Sequence, residues 1–221
     1  MRKYCVLAIL SLLLGALAAA PQAGAPQSAG ATIALPAPSR VGGMALTEAL
    51  SSRRSIRSFK TGPLSALTPQ EISQLLWAAQ GVTDDKGHRT APSARAGYFL
   101  RTYLATADGF FEYLPAGHQL KKLSSNDLRA KLSTQATVTS APFVLLIAGE
   151  NDRALKAGAD TGIRYVYLEA GHAAQNVLLQ ATALGLGAVP VGGFQPAQAA
   201  QAAALPPGVV PIYLIPVGRP K

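Results

Sequence analysis

Along residues 160–184, apolar side chains recur at three- and four-residue steps: Ile163, Val166, Tyr167, Ala170, Ala174, Val177, Leu178, Ala181 and Leu184. That is the period of a long helix with one broad buried face, and it predicts the spine of the core. Gly185 and Gly187 read as its stop, because glycine takes the left-handed cap conformation without steric cost. The stretch before it, residues 150–158, reads as a loop. A second helix starts at Thr68-Pro69-Gln70-Glu71, a capping box with proline at the first helical position. Ile72, Leu75, Leu76 and Ala79 form its stripe, Trp77 joins the core and Gly81 ends it.

The unbroken apolar run Phe143-Val-Leu-Leu-Ile-Ala148 predicts a central strand covered on both sides. Residues 99–105 and 110–114 read as a hairpin around the Asp108-Gly109 turn, with His118 in the loop beyond. Shorter helical patterns occupy residues 44–50, 126–132 and 196–204, and residues 209–217 form a last strand.

Two stretches fall outside this pattern. Residues 1–20 carry Arg2 and Lys3, an apolar run over 6–17 and small residues after it, which together read as a secretory signal peptide. The run is short for a membrane span, so no stable span is expected after cleavage, and the mature chain is expected to be secreted or periplasmic. Residues 21–43 are rich in Ala, Pro, Gly, Ser and Gln and read as a flexible linker, which leaves residues 44–221 as one domain.

Composition narrows the chemistry. With 221 residues and 49% apolar content, one sizeable core is available. Cys5 is the sole cysteine and lies in the leader, so a disulfide, a thiol nucleophile and a cysteine metal site are excluded from the mature chain. His88, His118 and His172 are scattered, and no metal site is expected. A formal charge of +9 favours an anionic ligand. The basic residues are dispersed and no basic helix or RNA-type aromatic motif occurs, so no nucleic-acid partner is expected.

Three segments carry candidate site residues. Arg53, Arg54, Ser55 and Arg57 lie within residues 53–59, and forked guanidiniums beside hydroxyls suit a phosphate. A solvated basic edge is the alternative for that segment alone. Pro92, Ser93 and Ala94 form a small-residue surface that a backbone or a planar ring can approach. Val189, Pro190, Val191, Gly192 and Gly193 are too stiff for a linker and too glycine-rich for a buried strand. They suit backbone lying close to something flat, or else an ordinary helix-to-strand connection.

Taken in order, Arg53-Arg-Ser-Ile-Arg-Ser-Phe59, Leu67-Thr-Pro-Gln-Glu-Ile-Ser-Gln-Leu-Leu-Trp-Ala-Ala-Gln-Gly-Val82, Arg89-Thr-Ala-Pro-Ser93, Leu168-Glu-Ala-Gly-His-Ala-Ala-Gln-Asn176, Leu184-Gly-Leu-Gly-Ala-Val-Pro-Val-Gly-Gly193 and Pro216-Val-Gly218 resemble the nitroreductase superfamily, in its dehydrogenase branch that includes azoline oxidases. The resemblance implies an α+β, nitroreductase-like fold: a central mixed or antiparallel sheet flanked by helices, with a long core helix. It implies a homodimer with FMN at the subunit interface and a small-molecule substrate, with NAD(P)H as a possible donor. Arg53, Arg54 and Ser55 would then hold the phosphate and ribityl chain, with Arg57 near the pyrimidine side of the ring and Arg219 near the phosphate. Pro92, Ser93 and Ala94 of the partner would line the ring, and Pro190, Gly192 and Gly193 would offer backbone toward its reactive edge. The implied reaction is ping-pong hydride transfer, with the flavin itself as the reactive group.

The chain departs from that pattern after Ala94. Arg95-Ala-Gly-Tyr-Phe-Leu-Arg101 stands where the branch has Gly-Ala-Leu-Tyr-Pro-Leu-Glu. Arg95 is then either a ligand for an acidic substrate or a surface arginine. Two functions follow: an exported flavin-dependent oxidoreductase, or a catalytically idle relative that binds flavin or an anion as a carrier or interaction module.

Overall fold

The computed structural model describes residues 30–62 and 65–221; the predicted leader and residues 21–29 of the predicted linker lie outside the described residues. In chain order the elements are β1 (Thr32–Ala34), α1 (Leu46–Ser52), α2 (Pro69–Gln80), β2 (Leu100–Thr106), β3 (Gly109–Leu114), β4 (Gln119–Ser124), α3 (Arg129–Leu132), α4 (Ala136–Thr139), β5 (Phe143–Glu150), α5 (Asn151–Ala183), β6 (Gly187–Ala188), α6 (Pro196–Ala202) and β7 (Val209–Gly218). The strands form one seven-stranded sheet in the order β1-β4-β3-β2-β5-β7-β6. Every ladder among the described residues is antiparallel.

The apolar run predicted as a covered strand is β5, and its residues serve two cores in alternation. Phe143, Leu145 and Ile147 pack with Leu75, Leu76, Val166, Ala170 and Val177, so α2 and α5 cover that face. Val144, Leu146 and Ala148 pack with Leu132, Val138, Ala199 and Leu214, which places α3, α4 and α6 on the other. Successive strand residues point to opposite sides, so a strand covered on both must be apolar throughout. Burial of each such aliphatic side chain contributes about 1.5–3 kcal/mol.

The capping box forms as predicted: Thr68 Oγ1 accepts from the Glu71 amide at 3.2 Å, and Glu71 Oε2 accepts from the Thr68 amide at 2.7 Å. Trp77, predicted in the core, is only half-buried, and its indole N–H donates to the Val82 carbonyl at 3.3 Å.

Several expectations are corrected. Residues 31–40, read from composition as part of a flexible linker, are held against the domain. β1 pairs with β4, Ser73 Oγ donates to the Pro36 carbonyl at 2.6 Å, and the Ser39 amide donates to Gln74 Oε1 at 2.8 Å. Order comes from the domain's existing surface, where Ile33 and Leu35 pack against the core and the segment's backbone finds partners, instead of from a core of its own. The helix predicted over 126–132 is one short turn, α3 at Arg129–Leu132, and α4 follows as a separate, unpredicted turn. The loop predicted over 150–158 is largely helical, since α5 begins at Asn151.

The 33-residue α5 is two helical pieces joined at Gly158 and Ala159. Ala159 has φ 51° and ψ −140°, a conformation a side-chain-bearing residue rarely holds. Just past the break the backbones run so close that a Cβ on Gly162 would stand 2.0 Å from the Ala154 carbonyl oxygen. Among the described residues no helix is long and apolar enough to cross a membrane.

Relieving the outlier is expected to help. Ala159→Gly should raise unfolding stability by about 1 kcal/mol, read as a higher urea midpoint at unchanged slope; an unchanged or lowered midpoint would show that the break carries no strain.

Candidate functional site

The arginine segment is positioned by what lies on either side of it. α1 ends at Ser52, and Arg53 turns the chain extended at φ −55° and ψ 127°. The chain then runs along the β6–β7 edge of the sheet. Ser55 forms an isolated parallel bridge with Ala188, and the Ile56 amide donates to the Ala188 carbonyl at 3.1 Å. Phe59 bridges Pro220, and the Lys60 amide donates to the Arg219 carbonyl at 2.8 Å.

Glycine makes this approach possible. Gly187 and Gly218 are register partners. A Cβ on Gly187 would stand 2.6 Å from Ile56 Cγ2, and one on Gly218 would stand 2.9 Å from Pro142 Cδ and 3.0 Å from the Phe59 ring. Gly187, predicted as a helix stop, is therefore a close-packing strand residue. The stop is Gly185, at φ 68°.

Along this edge the guanidiniums of Arg53, Arg54 and Arg57 have no carboxylate partner among the described residues. Arg54 donates to the Ser51 and Arg53 carbonyls, each at 2.8 Å, and Arg57 donates to the Ser55 carbonyl at 3.4 Å. Ser55, Arg54 and Arg57 are exposed and Arg53 is half-buried. Their positive charge is held at the surface without an internal counter-charge. Arg219 differs, because its Nη2 donates to both Glu71 carboxylate oxygens at 3.1 Å, which ties the C-terminus to the start of α2.

The glycine pair follows on the same edge. Val191 exchanges two backbone hydrogen bonds with Leu214, at 2.8 and 3.0 Å, and this anchors the turn. Gly192 and Gly193 beyond it are exposed. Space is open where a Cβ on Gly193 would be, and the Gly193 carbonyl accepts from Gln135 Nε2 at 2.6 Å. A cavity of about 250 Å³ adjoins the pair and includes Lys131, Ser133 and Phe194 in its wall. Pro190 is half-buried between the Ala188 bridge and this turn.

Pro92, Ser93 and Ala94 are placed differently. No hydrogen bond or strand pairing among the described residues joins them to the arginine segment or the glycine pair. Ser93 is instead fixed to α5: its Oγ donates to Glu169 Oε2 at 2.6 Å and accepts from the Tyr98 amide at 2.8 Å. Pro92 stays exposed.

The family model described as Nitroreductase family matches residues 50–219. The chain belongs to the nitroreductase family. A protein of Methanocaldococcus jannaschii named as a putative nitroreductase is 38% identical over 184 residues, covering 79% of this chain and 90% of that one. A solved structure of a putative nitroreductase from Ralstonia eutropha superposes with a TM-score of 0.80 at 31% identity, over 90% of this chain and 96% of that chain. The NADPH:FMN oxidoreductase of Vibrio harveyi, solved with NAD+, shares the fold at a TM-score of 0.59 and 21% identity, over 80% of this chain and 69% of that chain. The nitroreductase-like fold of long helix and antiparallel sheet is therefore common to these proteins. Members of this family generally bind FMN.

Glu169 was not anticipated from sequence, although it lies on the buried stripe of α5 between Val166 and Ala173. An acid there is itself a signal. Glu169 is 1% exposed. Its carboxylate accepts from Ser93 Oγ, from the Phe99 amide at 3.4 Å and from Gln80 Nε2 at 3.5 Å, while Gln80 Oε1 accepts from Arg89 at 2.8 Å. Burial raises its pKa above the ordinary carboxylate value; the hydrogen bonds from Ser93 and Phe99 and the Arg89 charge pull the other way.

A raised folded pKa means that the native state holds a proton the unfolded chain has released. That stability is complete below the unfolded carboxylate pKa and is lost as pH rises through the folded one. Glu169→Gln should flatten this fall. From acid to neutral pH the wild-type urea midpoint should fall relative to that of the variant; parallel curves would refute the assignment.

Proposed function

We propose that this nitroreductase is an exported, homodimeric, FMN-dependent oxidoreductase that moves a hydride between a reduced nicotinamide or organic donor and a small-molecule acceptor. The observation that carries the proposal is the sheet edge where three uncompensated guanidiniums, Arg53, Arg54 and Arg57, lie beside the chain leading to the open Gly192–Gly193 backbone.

The residues present fit the cofactor. Arg53, Arg54 and Ser55 supply charged, directional donors for a phosphate, and forked guanidiniums match its oxygens in pairs. Arg57 adds positive charge on the same segment. Gly192 and Gly193 leave room for a flat ring, with their amides free of side-chain cover. Arg219 acts by position: paired with Glu71, it holds the chain end that Phe59 and Lys60 lean on. FMN, when bound, supplies the two-electron chemistry that no side chain here provides.

A dimer would bring Pro92, Ser93 and Ala94 of one subunit to the other's glycine pair. Exposed apolar residues support that arrangement: Leu46 and Leu50 on α1, and Tyr167 and Leu168 on α5, are each about half exposed or more. The leader-like residues 1–20 support export. Placement in the azoline-oxidase branch rests on the order of the motifs. The idle, anion-binding reading is favoured by one feature, the bulky Arg95 next to Ala94.

Purified protein should be yellow, or turn yellow with added FMN, and should bleach anaerobically with NADH or NADPH. Colour without bleaching would leave the idle reading, and failure to take up FMN would end both flavin readings. Arg53→Gln and Arg54→Gln should each weaken FMN binding by about tenfold, measured by fluorescence titration, with thermal unfolding unchanged.

A further inference from the structure

A cavity of about 420 Å³ opens between the turn at residues 94–99 and the first half of α5. Ala94, Arg95, Phe99, Arg153, Gly158 and Tyr165 line it. Ala94 also ends the segment assigned above to the partner's FMN, so the cavity begins where that cofactor site stops. Its place beside a cofactor rests on the oxidoreductase reading; its chemistry does not.

The two arginines of the wall are not equivalent. Arg153 is committed: it donates to the Gly97 and Tyr98 carbonyls, pairs with Glu150 at 2.9 Å and sits 4.8 Å from the centre of the Phe99 ring. Arg95 is exposed and has no hydrogen bond or ion pair from its side chain among the described residues. No carboxylate lines the cavity. Of the nearby acids, Glu150 is taken by Arg153, and Asp160 stands exposed on α5 outside the lining. Phe99 and Tyr165 give the remaining wall its rings, and Ala157, Thr161, Gly158 and Gly162 complete the α5 side with small residues.

The backbone holds Arg95 there at a cost. Arg95, Ala96 and Tyr98 have φ of 54°, 50° and 45°, in the left-handed region that residues other than glycine, asparagine and aspartate avoid. The turn is kept in place by Arg153 on its carbonyls and by Ser93 on the Tyr98 amide. A strained turn held from both sides, presenting an unpaired guanidinium to an aromatic cavity, points to a ligand.

We propose that this cavity binds a planar aromatic carboxylate, with its ring against Phe99 and Tyr165 and its carboxylate on Arg95. A guanidinium meets a carboxylate with two parallel donors and carries a permanent charge, so it selects the anion over a neutral isostere.

The test is calorimetric titration of the FMN-loaded full chain with para-nitrobenzoate and with the neutral para-nitrobenzyl alcohol. The wild type should bind the anion roughly tenfold tighter. Arg95→Asn, chosen because asparagine tolerates the left-handed backbone, should lose that preference and keep its affinity for the alcohol. Arg95→Lys should retain part of the preference. Equal affinities in the wild type, a preference that survives in Arg95→Asn, or no binding of either compound would overturn the proposal. Adding NADH or NADPH anaerobically to FMN-loaded protein without either nitro compound, which would reoxidise the flavin, separates the two readings. Anion preference without bleaching keeps this subsite and removes the oxidoreductase, while bleaching without preference does the reverse.

Discussion

The close approach of residues 55–60 to the β6–β7 edge is the constraint on which the rest depends. Two facing glycines, Gly187 and Gly218, leave the room into which Ile56 and Phe59 fit, and a Cβ on either would force its neighbours to shift. Once that packing forms, the backbone between them has no freedom to swing away. Arg53, Arg54 and Arg57 become a fixed array because apolar contacts pin the chain they belong to. Like charges at this spacing repel, so an unanchored segment would splay into solvent. Here Phe59, 1% exposed, and the Ala188 hydrogen bond supply the opposing attraction. Glu71 adds to this economically: one carboxylate caps α2 and neutralises Arg219, so the helix start and the chain end are fixed together.

On the opposite face of the sheet from α3, α4 and α6, a polar network does comparable work inside an apolar core. Glu169, Gln80, Ser93 and Arg89 would each be costly to bury alone. Linked by hydrogen bonds they become tolerable, and the linkage fixes the 93–99 turn on α5 and α2. Arg89 is also 4.6 Å from the centre of the Tyr98 ring, so the network reaches the turn from both ends. Replacing it with apolar side chains could leave stability similar, since buried charge is a poor stabiliser. Such a core would have no directional hold on Ser93.

What could be read from the sequence follows from how local each cause is. The Thr68 capping box, the apolar run of β5 and the stripe on α5 are set by neighbours a few residues apart and form where predicted, except that Tyr167, expected on the buried stripe, is 52% exposed. β4 was missed because Lys121-Lys122 marks it as polar. In the fold Lys122 is only 7% exposed, its stem covered and its ammonium 5.8 Å from the centre of the Phe111 ring, so its apolar stem packs like a strand residue. β1 was missed because its order comes from β4, itself unseen. For the site, the clustered arginines and the Gly192–Gly193 pair were legible as residue types. That Arg219 is taken by Glu71, 148 residues away in sequence, and that Ser93 is taken by Glu169 could only come from the tertiary structure.

Four of the six non-glycine residues with positive φ among the described residues, Arg95, Ala96, Tyr98 and Ala159, lie in the two segments that border one cavity, while His118 and Ala204 lie elsewhere. Arg95, Ala96 and Tyr98 sit on one side of the 420 Å³ cavity, and Ala159, with Gly158, sits on the other. A fold under no demand there would relax at least one wall: a glycine at 159 or 96 is a single substitution from a common conformation. Strain on both walls of one cavity, each wall tied down by Arg153 or by the Gly162–Ala154 contact, means that the width of the gap is what the surrounding packing determines. The α5 break sets how far the helix steps back, and the left-handed turn sets how far the guanidinium of Arg95 reaches forward. Residue identity and backbone conformation therefore act on the same distance from opposite sides.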